Sequence, residues 1–399
     1  MNKCIVLGIV FLLVMMSFTS ISGIQINENI VIPTYNGNTL YVGGSGEGNY
    51  SSIQDAVDNA SDDDTVFVFD DSSPYYENLI VRKSINLIAE NRNTTIIFDS
   101  ESGNNCIKIV SDYVTVKGFK IISQNKDRGG NGIDISSSKF CNILRNEIYG
   151  VSYGINIDFS EDINIFNNNI YNNFYGLVLN PITIRVNISN NIISNNQGEG
   201  VICYETADIM FYNNTITYNR IGIDSISEKN HIYKYNNISY NSEEGILSYV
   251  YDVVIVGNIV SHNGDFGIDS NSGGFISKNL IFNNKEGGLS FLGDNSYILD
   301  NHIENNSGYG LLSYSRESFI ERNNLINNQI NAYFIDYWLF LELLLKIKPN
   351  IWDSNYYSDI GSKSSYVIYG KVSFFFLILF PWYTIDQNPV EEPYDINPD

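Results

Sequence analysis

One glycine returns along this chain at nearly constant spacing. GIDI begins at Gly132, GINI at Gly154, GLVL at Gly176, GVIC at Gly200 and GIDS at Gly222. GILS at Gly245, GIDS at Gly267, GLSF at Gly288 and GLLS at Gly310 follow, and AYFI at Ala332 takes the tenth place, with spacings of 21 to 24 residues. Asn followed two residues on by Ile, Leu or Val makes a second ladder, at Asn146, Asn168, Asn191, Asn214, Asn236, Asn258, Asn279, Asn301 and Asn323. A further Asn usually stands five residues later, at Asn173, Asn196, Asn219, Asn241, Asn263, Asn284, Asn306 and Asn328. Three interlocked ladders mark one supersecondary unit stacked on itself many times.

Two solenoids have repeats of this length. A leucine-rich repeat needs an L-x-x-L lead-in and a convex helical or extended segment. INIFNNNI fits part of its core, but residue 160 is Ser and the rest of each repeat is an Asn/Gly turn and a second period-2 apolar run. Two or three short strands per turn, parted by Asn and Gly, predict an all-β chain instead: a single-stranded right-handed parallel β-helix of about thirteen coils of about 22 residues.

Stacked coils lie about 4.8 Å apart, so equivalent positions sit directly above one another. Ile148, Ile170, Ile193, Ile216, Ile238, Val260, Ile281, Ile303 and Leu325 form one expected buried stack; Ile133, Ile155, Leu177, Val201, Ile223, Ile246, Ile268, Leu289 and Leu311 form another. Turning the chain so sharply needs residues tolerant of the left-handed region, for which Asn and Gly are best suited. Stacked Asn amides can also bond from coil to coil. The asparagines therefore read as corner residues.

The ends differ from the array. Lys3, the apolar run CIVLGIVFLLVMM and the small residues SFTSISG read as a secretory signal over 1–23, cleaved near Ser22 or Gly23. The run is shorter than a bilayer span, so the membrane enters only through an uncleaved signal. SSIQDAVDNA reads as a short amphipathic helix, N-capped by Ser51 or Ser52, closing the first coil. The β-helix is expected over 40–330, regular from about 131, and the aromatic, Trp-bearing segment 331–399 is expected to cover its last apolar layer. A net charge of −22 excludes nucleic acid as a partner. Cys106, Cys141 and Cys203 are odd in number and widely spaced, so buried free thiols are expected. Sequons at Asn49, Asn59, Asn93, Asn187, Asn213, Asn237 and Asn305 allow N-glycosylation.

The opening YSSIQDAVDNASDDDTVFV, the run YYENLIVRKSINLIAE and the G-I-x-I…N-x-I-x-x-N array resemble secreted, pectate-lyase-like right-handed β-helix proteins. In particular they are similar to the NosD-like and carbohydrate-binding/sugar-hydrolase (CASH) repeat proteins. The ending, NIWDSNYY to EEPYDI, resembles archaeal surface members of that group. The resemblance covers about residues 40 to 396 and implies a fold rather than an activity.

No catalytic signature of the wider β-helix superfamily is found. NGID at Asn131 only echoes the NTD element of polygalacturonases, and GHG and RIK elements are missing; YGINID at Tyr153 lacks the Pro and His of uronan epimerases; no LGRPW of pectin methylesterases occurs. The three histidines, His231, His262 and His302, share no ladder position and read as isolated surface or edge residues; only Met210 remains beyond the signal, a poor donor set for copper. No cofactor or metal is expected. In the G-I-x-I strand, positions two and four after the glycine face outward. They place Asp134, Asn156, Asp224, Asp269 and Ser290 in one column and Asp158, Asn180, Tyr204, Tyr249, Asn271 and Tyr314 in the next. Tyrosine faces beside Asp acceptors suit sugar rings, which offer apolar C–H patches and hydroxyl donors. Tyr204, Tyr249, Tyr314, Asp134, Asp158, Asp224 and Asp269 are the candidate glycan face. The expected function is a non-catalytic, secreted or cell-surface protein binding polysaccharide or cell-envelope glycan. The alternatives are a polysaccharide lyase, hydrolase or epimerase with a divergent site, and a NosD-type accessory factor for metalloenzyme maturation.

Overall fold

The computed structural model describes residues 37–398 apart from 101–102, 124–129, 228, 337–348, 362 and 375–377. The expected signal at 1–23 lies outside the described residues, as does part of the 331–399 segment. Three long sheets run the length of the array. Sheet A begins with Thr39–Val42 and ends with Ile351–Asp353; sheet B runs from Tyr75–Tyr76 to Tyr356–Tyr357; sheet C starts at Leu79–Val81 and ends in the hairpin Tyr366–Phe374 and Ile378–Asp386. Neighbouring strands are three apart in the chain and pair in parallel, save for the consecutive first pair, Thr39–Val42 with Thr65–Val68, and that last antiparallel hairpin. The chain is a right-handed parallel β-helix of about thirteen turns with one short helix.

One stretch shows how the sequence makes a coil. Residues 166–179 read FNNNIYNNFYGLVL. Phe166 closes a strand of sheet A, Asn169–Tyr171 is the sheet B strand, and Tyr175–Leu179 belongs to sheet C. Asn167 and Asn172 make the two corners, with φ of 56° and 55°. The asparagines beside them, Asn168 and Asn173, are buried and hold the coils together. The Asn168 amide N–H donates to Asn191 Oδ1 (2.9 Å), and its Nδ2 donates to Ile143 O (2.8 Å) on the coil before. The same bonds recur from Asn146 through Asn323, and the second ladder repeats them from Asn173 to Asn328.

The ladder asparagines are therefore not the residues that turn the corners. The left-handed residue is the one preceding each ladder Asn, and this position also admits Tyr235, Lys278, Asp300 and Arg322, or Tyr218, Tyr240 and His262. The ladder Asn is selected instead for its amide, which satisfies buried backbone groups that water cannot reach. The repeated glycine is likewise not a left-handed residue. A Cβ at Gly154 would lie 2.4 Å from Ile170 Cγ2 and 2.5 Å from Gly176 O, and a Cβ at Gly222 would lie 2.4 Å from Gly245 O. Close packing between coils, not φ, excludes a side chain there.

Both expected apolar stacks are fully buried and pair in register, as in Ile148–Ile170–Ile193 and Ile133–Ile155–Leu177. A third stack lies on sheet A: Ile143, Ile165, Ile188, Phe211, Tyr233, Ile255, Ile276, Ile298 and Ile320. At the N-terminal end a helix, Ile53–Asn59, buries Ile53, Ala56 and Val57 against the first strands, and Ser52 is its N-cap. Glu77 accepts from the amides of Ile53 (2.8 Å) and Gln54 (2.9 Å), placing a carboxylate at the positive end of that helix. At the other end both ladders stop on aspartates. Asn355 donates its amide N–H (3.1 Å) and its Nδ2 (3.0 Å) to Asp386 Oδ2, and Asn331 Nδ2 donates to Asp359 Oδ1 (2.6 Å).

Candidate functional site

In sheet C the glycine and the residue after it both face the core, as Gly200 and Val201 do, which leaves three columns on the outer side: the residue before the glycine, and the second and fourth after it. Consecutive coils stack these columns in register, as Ile202–Asp224–Leu247–Asp269–Ser290 shows. From Glu199 to Asn271 the composition of the three columns alternates. The coil at Gly200 carries Glu199, Ile202 and Tyr204; the next carries Ile221, Asp224 and Ile226; then come Glu244, Leu247 and Tyr249, and finally Phe266, Asp269 and Asn271. Acid and apolar residues thus exchange columns at every coil, and the pattern repeats every second coil.

Burial sets the electrostatics of this patch. Asp224 takes part in no hydrogen bond or ion pair among the described residues, and its Oδ1 is enclosed without a partner. Burial, helped by the charge of Glu199 and opposed by Arg220, pushes its carboxyl up to about 6. Burial likewise raises Glu244, with Asp265, Glu243 and Asp269 adding to it, and raises Asp269, which hydrogen bonds from Ser290 and Asn271 partly offset. Glu199 is 4% exposed. Its Oε1 is engaged by Arg220, whose Nη1 also donates to Glu243 Oε2 (2.6 Å), while its enclosed Oε2 has no partner. Tyr204 and Tyr249 stand two coils apart in the fourth-position column, each 45% exposed.

The expected face is thus divided. Asp224, Asp269, Tyr204 and Tyr249 come together. Tyr314 lies in the same column but three coils beyond Tyr249 and is half-buried. Asp134 and Asp158 sit three coils or more before Asp224. Asp134 is buried and already committed, to Lys108 (3.7 Å), Asn156 Nδ2 (2.8 Å) and Asn131 Nδ2 (3.0 Å). Burial and the charge of Asp134 raise Asp158. Glu199, Arg220 and Glu244 escaped the sequence reading because they flank the strand on the near side of the glycine. The alternating outer columns were the signal that could have found them.

The histidine reading also changes. His231 is fully buried, not at the surface; Thr206 Oγ1 (3.2 Å) and Tyr233 Oη (3.3 Å) flank its ring nitrogens, and burial lowers it to about 3. His302 pairs with Glu304 (2.9 Å), and His262 stacks on Tyr240 with ring centroids 4.7 Å apart. Cys106, Cys141 and Cys203 are free and buried, and burial pushes each thiol up to about 12.

Comparison with known proteins places this geometry. Among solved structures the chain is similar to a mannuronic acid specific polysaccharide family 6 lyase from human gut microbiota (TM-score 0.55, 14% identity, covering 82% of this chain and 88% of that one). It is also similar to the Dettilon tailspike protein (TM-score 0.54, 14% identity, 73% and 68% covered). A third is the A-module of a mannuronan C-5 epimerase of Azotobacter vinelandii (TM-score 0.51, 14% identity, 76% and 88% covered). At such identities these likenesses show the fold. No curated protein matches the sequence. Residues 57–237 match the family described as periplasmic copper-binding protein (NosD), and residues 183–301 match the right handed beta helix region.

The described residues do not fit copper. Its preferred donors are clustered Cys, Met and His, whereas the thiols here are scattered and held protonated and His231 is already engaged on both sides. Among the described residues no group of three His, Cys, Asp or Glu side chains could hold a metal ion. The repeat, the fold and the two family matches agree: this chain is a NosD-like right-handed β-helix repeat protein.

Proposed function

We propose that this protein binds a linear glycan laid along the outer face of sheet C, parallel to the helix axis, between Glu199 and Asn271. The observation that carries this reading is the pair Tyr204 and Tyr249, exposed, in one column and two coils apart. Two coils span about 10 Å, close to a disaccharide, so two rings can seat alternate sugars of one chain. Aromatic faces against sugar C–H patches, with carboxylates accepting from hydroxyls, are the usual chemistry of such contact. A polyuronate would bring carboxylate against the carboxylates of this patch, so a neutral or amino-bearing glycan suits it better. With the signal-like segment at 1–23, the reading places the protein outside the cytoplasm, at the cell surface or secreted. The test is a glycan array followed by titration calorimetry. Replacing Tyr204 and Tyr249 together by Ala is expected to weaken binding at least about tenfold, and no binding by the native protein, or equal binding by the variant, would remove this face.

One observation favours a second, catalytic reading. Burial pushes the Asp224 carboxyl up to about 6, with Glu199 adding to the shift and Arg220 opposing it, toward the range that suits a general acid. If the face cleaves its glycan, reducing ends accumulate with the native protein and not with Asp224→Asn; binding without release of ends leaves the non-catalytic reading.

A further inference from the structure

The fold repeats every coil, but the outer face from Glu199 to Asn271 repeats every second coil. Packing has no need of this, because the three interior stacks keep one apolar residue per coil without alternation. The doubled period belongs to the surface alone, and so to what the surface meets.

Its arrangement is specific. Glu199 and Glu244 stand before the glycine two coils apart; Asp224 and Asp269 stand in the second-position column, also two coils apart and offset by one coil from the glutamates. Climbing the axis, a carboxylate falls on one side, then the other, then the first again, at a step of about 4.8 Å. The two sides are three positions apart along the strand, on the order of 10 Å. An extended β-1,4-linked hexose chain has the same symmetry. Each sugar advances by roughly 5 Å, close to one coil, and is turned over relative to the last, so the substituent on C2 points alternately left and right.

The sign of that substituent follows from the patch. Glu199, Asp224, Glu243, Glu244, Asp265 and Asp269 are opposed there by Arg220, which Glu199 and Glu243 already engage. Glu199 Oε2 and Asp224 Oδ1 are enclosed acceptors without a donor. Buried acceptors are normally satisfied, and a ligand carrying N–H donors and positive charge satisfies these. A single divalent cation fits poorly, because the acids are spread along a zigzag rather than gathered into one cage.

Resting on the glycan-binding reading above, we propose that the ligand of this face is an extended β-1,4-linked amino-sugar polymer, its ammonium groups taken by Asp224 and Asp269 on one side and by Glu244 on the other, with Tyr204 and Tyr249 flanking the chain beyond the aspartate column. Arg220 engages Glu199 Oε1 and Glu243, so Glu199 offers the chain its Oε2 alone.

The experiment is calorimetric titration of the full chain, near pH 7 and at low salt, with the hexamers of glucosamine and of N-acetylglucosamine, and with spermine as a polycation of no sugar character. The glucosamine hexamer is expected to bind at least about tenfold more tightly than the acetylated one. Asp224→Asn with Asp269→Asn abolishes that preference, the two hexamers then binding about equally. Asp224→Asn removes a charge without a partner, and Asp269→Asn keeps an oxygen for Asn271 and Ser290, so the thermal midpoint does not fall and loss of fold cannot explain the result. Equal binding of the two hexamers overturns the amino-sugar assignment while leaving a glycan face in place. A preference that survives the double substitution, or spermine binding as tightly as the glucosamine hexamer, reduces the effect to the −22 net charge and overturns it too. Binding of neither hexamer, with Tyr204→Ala and Tyr249→Ala silent toward every glycan tried, overturns the underlying reading instead.

Discussion

The corners of this solenoid and the outer face of sheet C both take polar groups out of water, with opposite results. At the corners the ladder asparagines are matched: Asn191 donates its amide N–H to Asn214 Oδ1 (2.9 Å), and its Nδ2 reaches both Ile165 O (2.8 Å) and Asn214 Oδ1 (3.1 Å). On the face, a few strands away, Glu199 Oε2 and Asp224 Oδ1 are enclosed and unmatched. A satisfied buried network holds one structure in place, whereas an unsatisfied one weakens the fold and persists where something else makes use of it.

The contrast is broken most severely at a rung. Asn214→Leu leaves the Asn191 amide and Ile188 O without partners in a dry corner. It should destabilise by roughly 3 kcal/mol, and hydrogen exchange should show the loss concentrated in the adjoining coils, as nearest-neighbour coupling in a repeat array requires. Exchange unchanged at Asn214→Leu and at Asn191→Leu would contradict the ladder. Asp386→Ala is next: it removes the acceptor for Asn355 and for Tyr357 Oη (3.3 Å). About 2 kcal/mol is expected, confined to the last coils in the same measurement, with Asp386→Asn recovering most of it.

The smallest effect has the opposite sign. Asp224 has its folded pKa raised, to about 6, so the folded state holds the proton more tightly than the unfolded chain does. Its penalty is complete above that value and is relieved as pH falls from about 6 toward the ordinary carboxylate range. Asp224→Asn should therefore raise stability near pH 7 by about 1 kcal/mol, allowing for partial solvent screening, and leave it unchanged near pH 4. Melting curves of the two proteins across that range test this; a variant less stable than the native chain near neutrality would mean that Asp224 has a partner in the fold.

Much of the scaffold could be read from the sequence because a solenoid repeats its reasons. Gly154, Gly176 and Gly200 all meet the same carbonyl and the same branched side chain one coil on, so one constraint is written out many times. What the repeat hid was the division of labour inside Asn-Asn pairs. Asn167 bends the chain and Asn168 bonds it, and identical letters conceal the two tasks until a coil with Tyr235–Asn236 or Arg322–Asn323 is seen in place. The buried state of His231 was hidden for a related reason: Cys203, Ser225 and Ser248 make the interior polar at that level, against the apolar rule of the other coils. On the face, the outward columns were legible from period-2 alternation, and Tyr204, Tyr249, Asp224 and Asp269 with them. Glu199 and Glu244 were not, because the glycine and the residue after it both face the core, and simple alternation carried back across that pair assigns the residue before the glycine to the wrong side.

The two ladders also give the molecule a direction. Along the rungs the side-chain oxygen accepts from the preceding coil, while the Nδ2 donates one hydrogen to the next rung and the other to a main-chain carbonyl of the coil before. Dipoles aligned head to tail do not cancel; they sum, as peptide dipoles do along an α-helix. Each ladder is therefore a long column of parallel amides with its positive pole at the C-terminal end, where Asp386 and Asp359 place negative charge. The solenoid is polarised along its axis by neutral residues, independently of its net charge, and a long charged ligand lying on any face would feel its two ends as different.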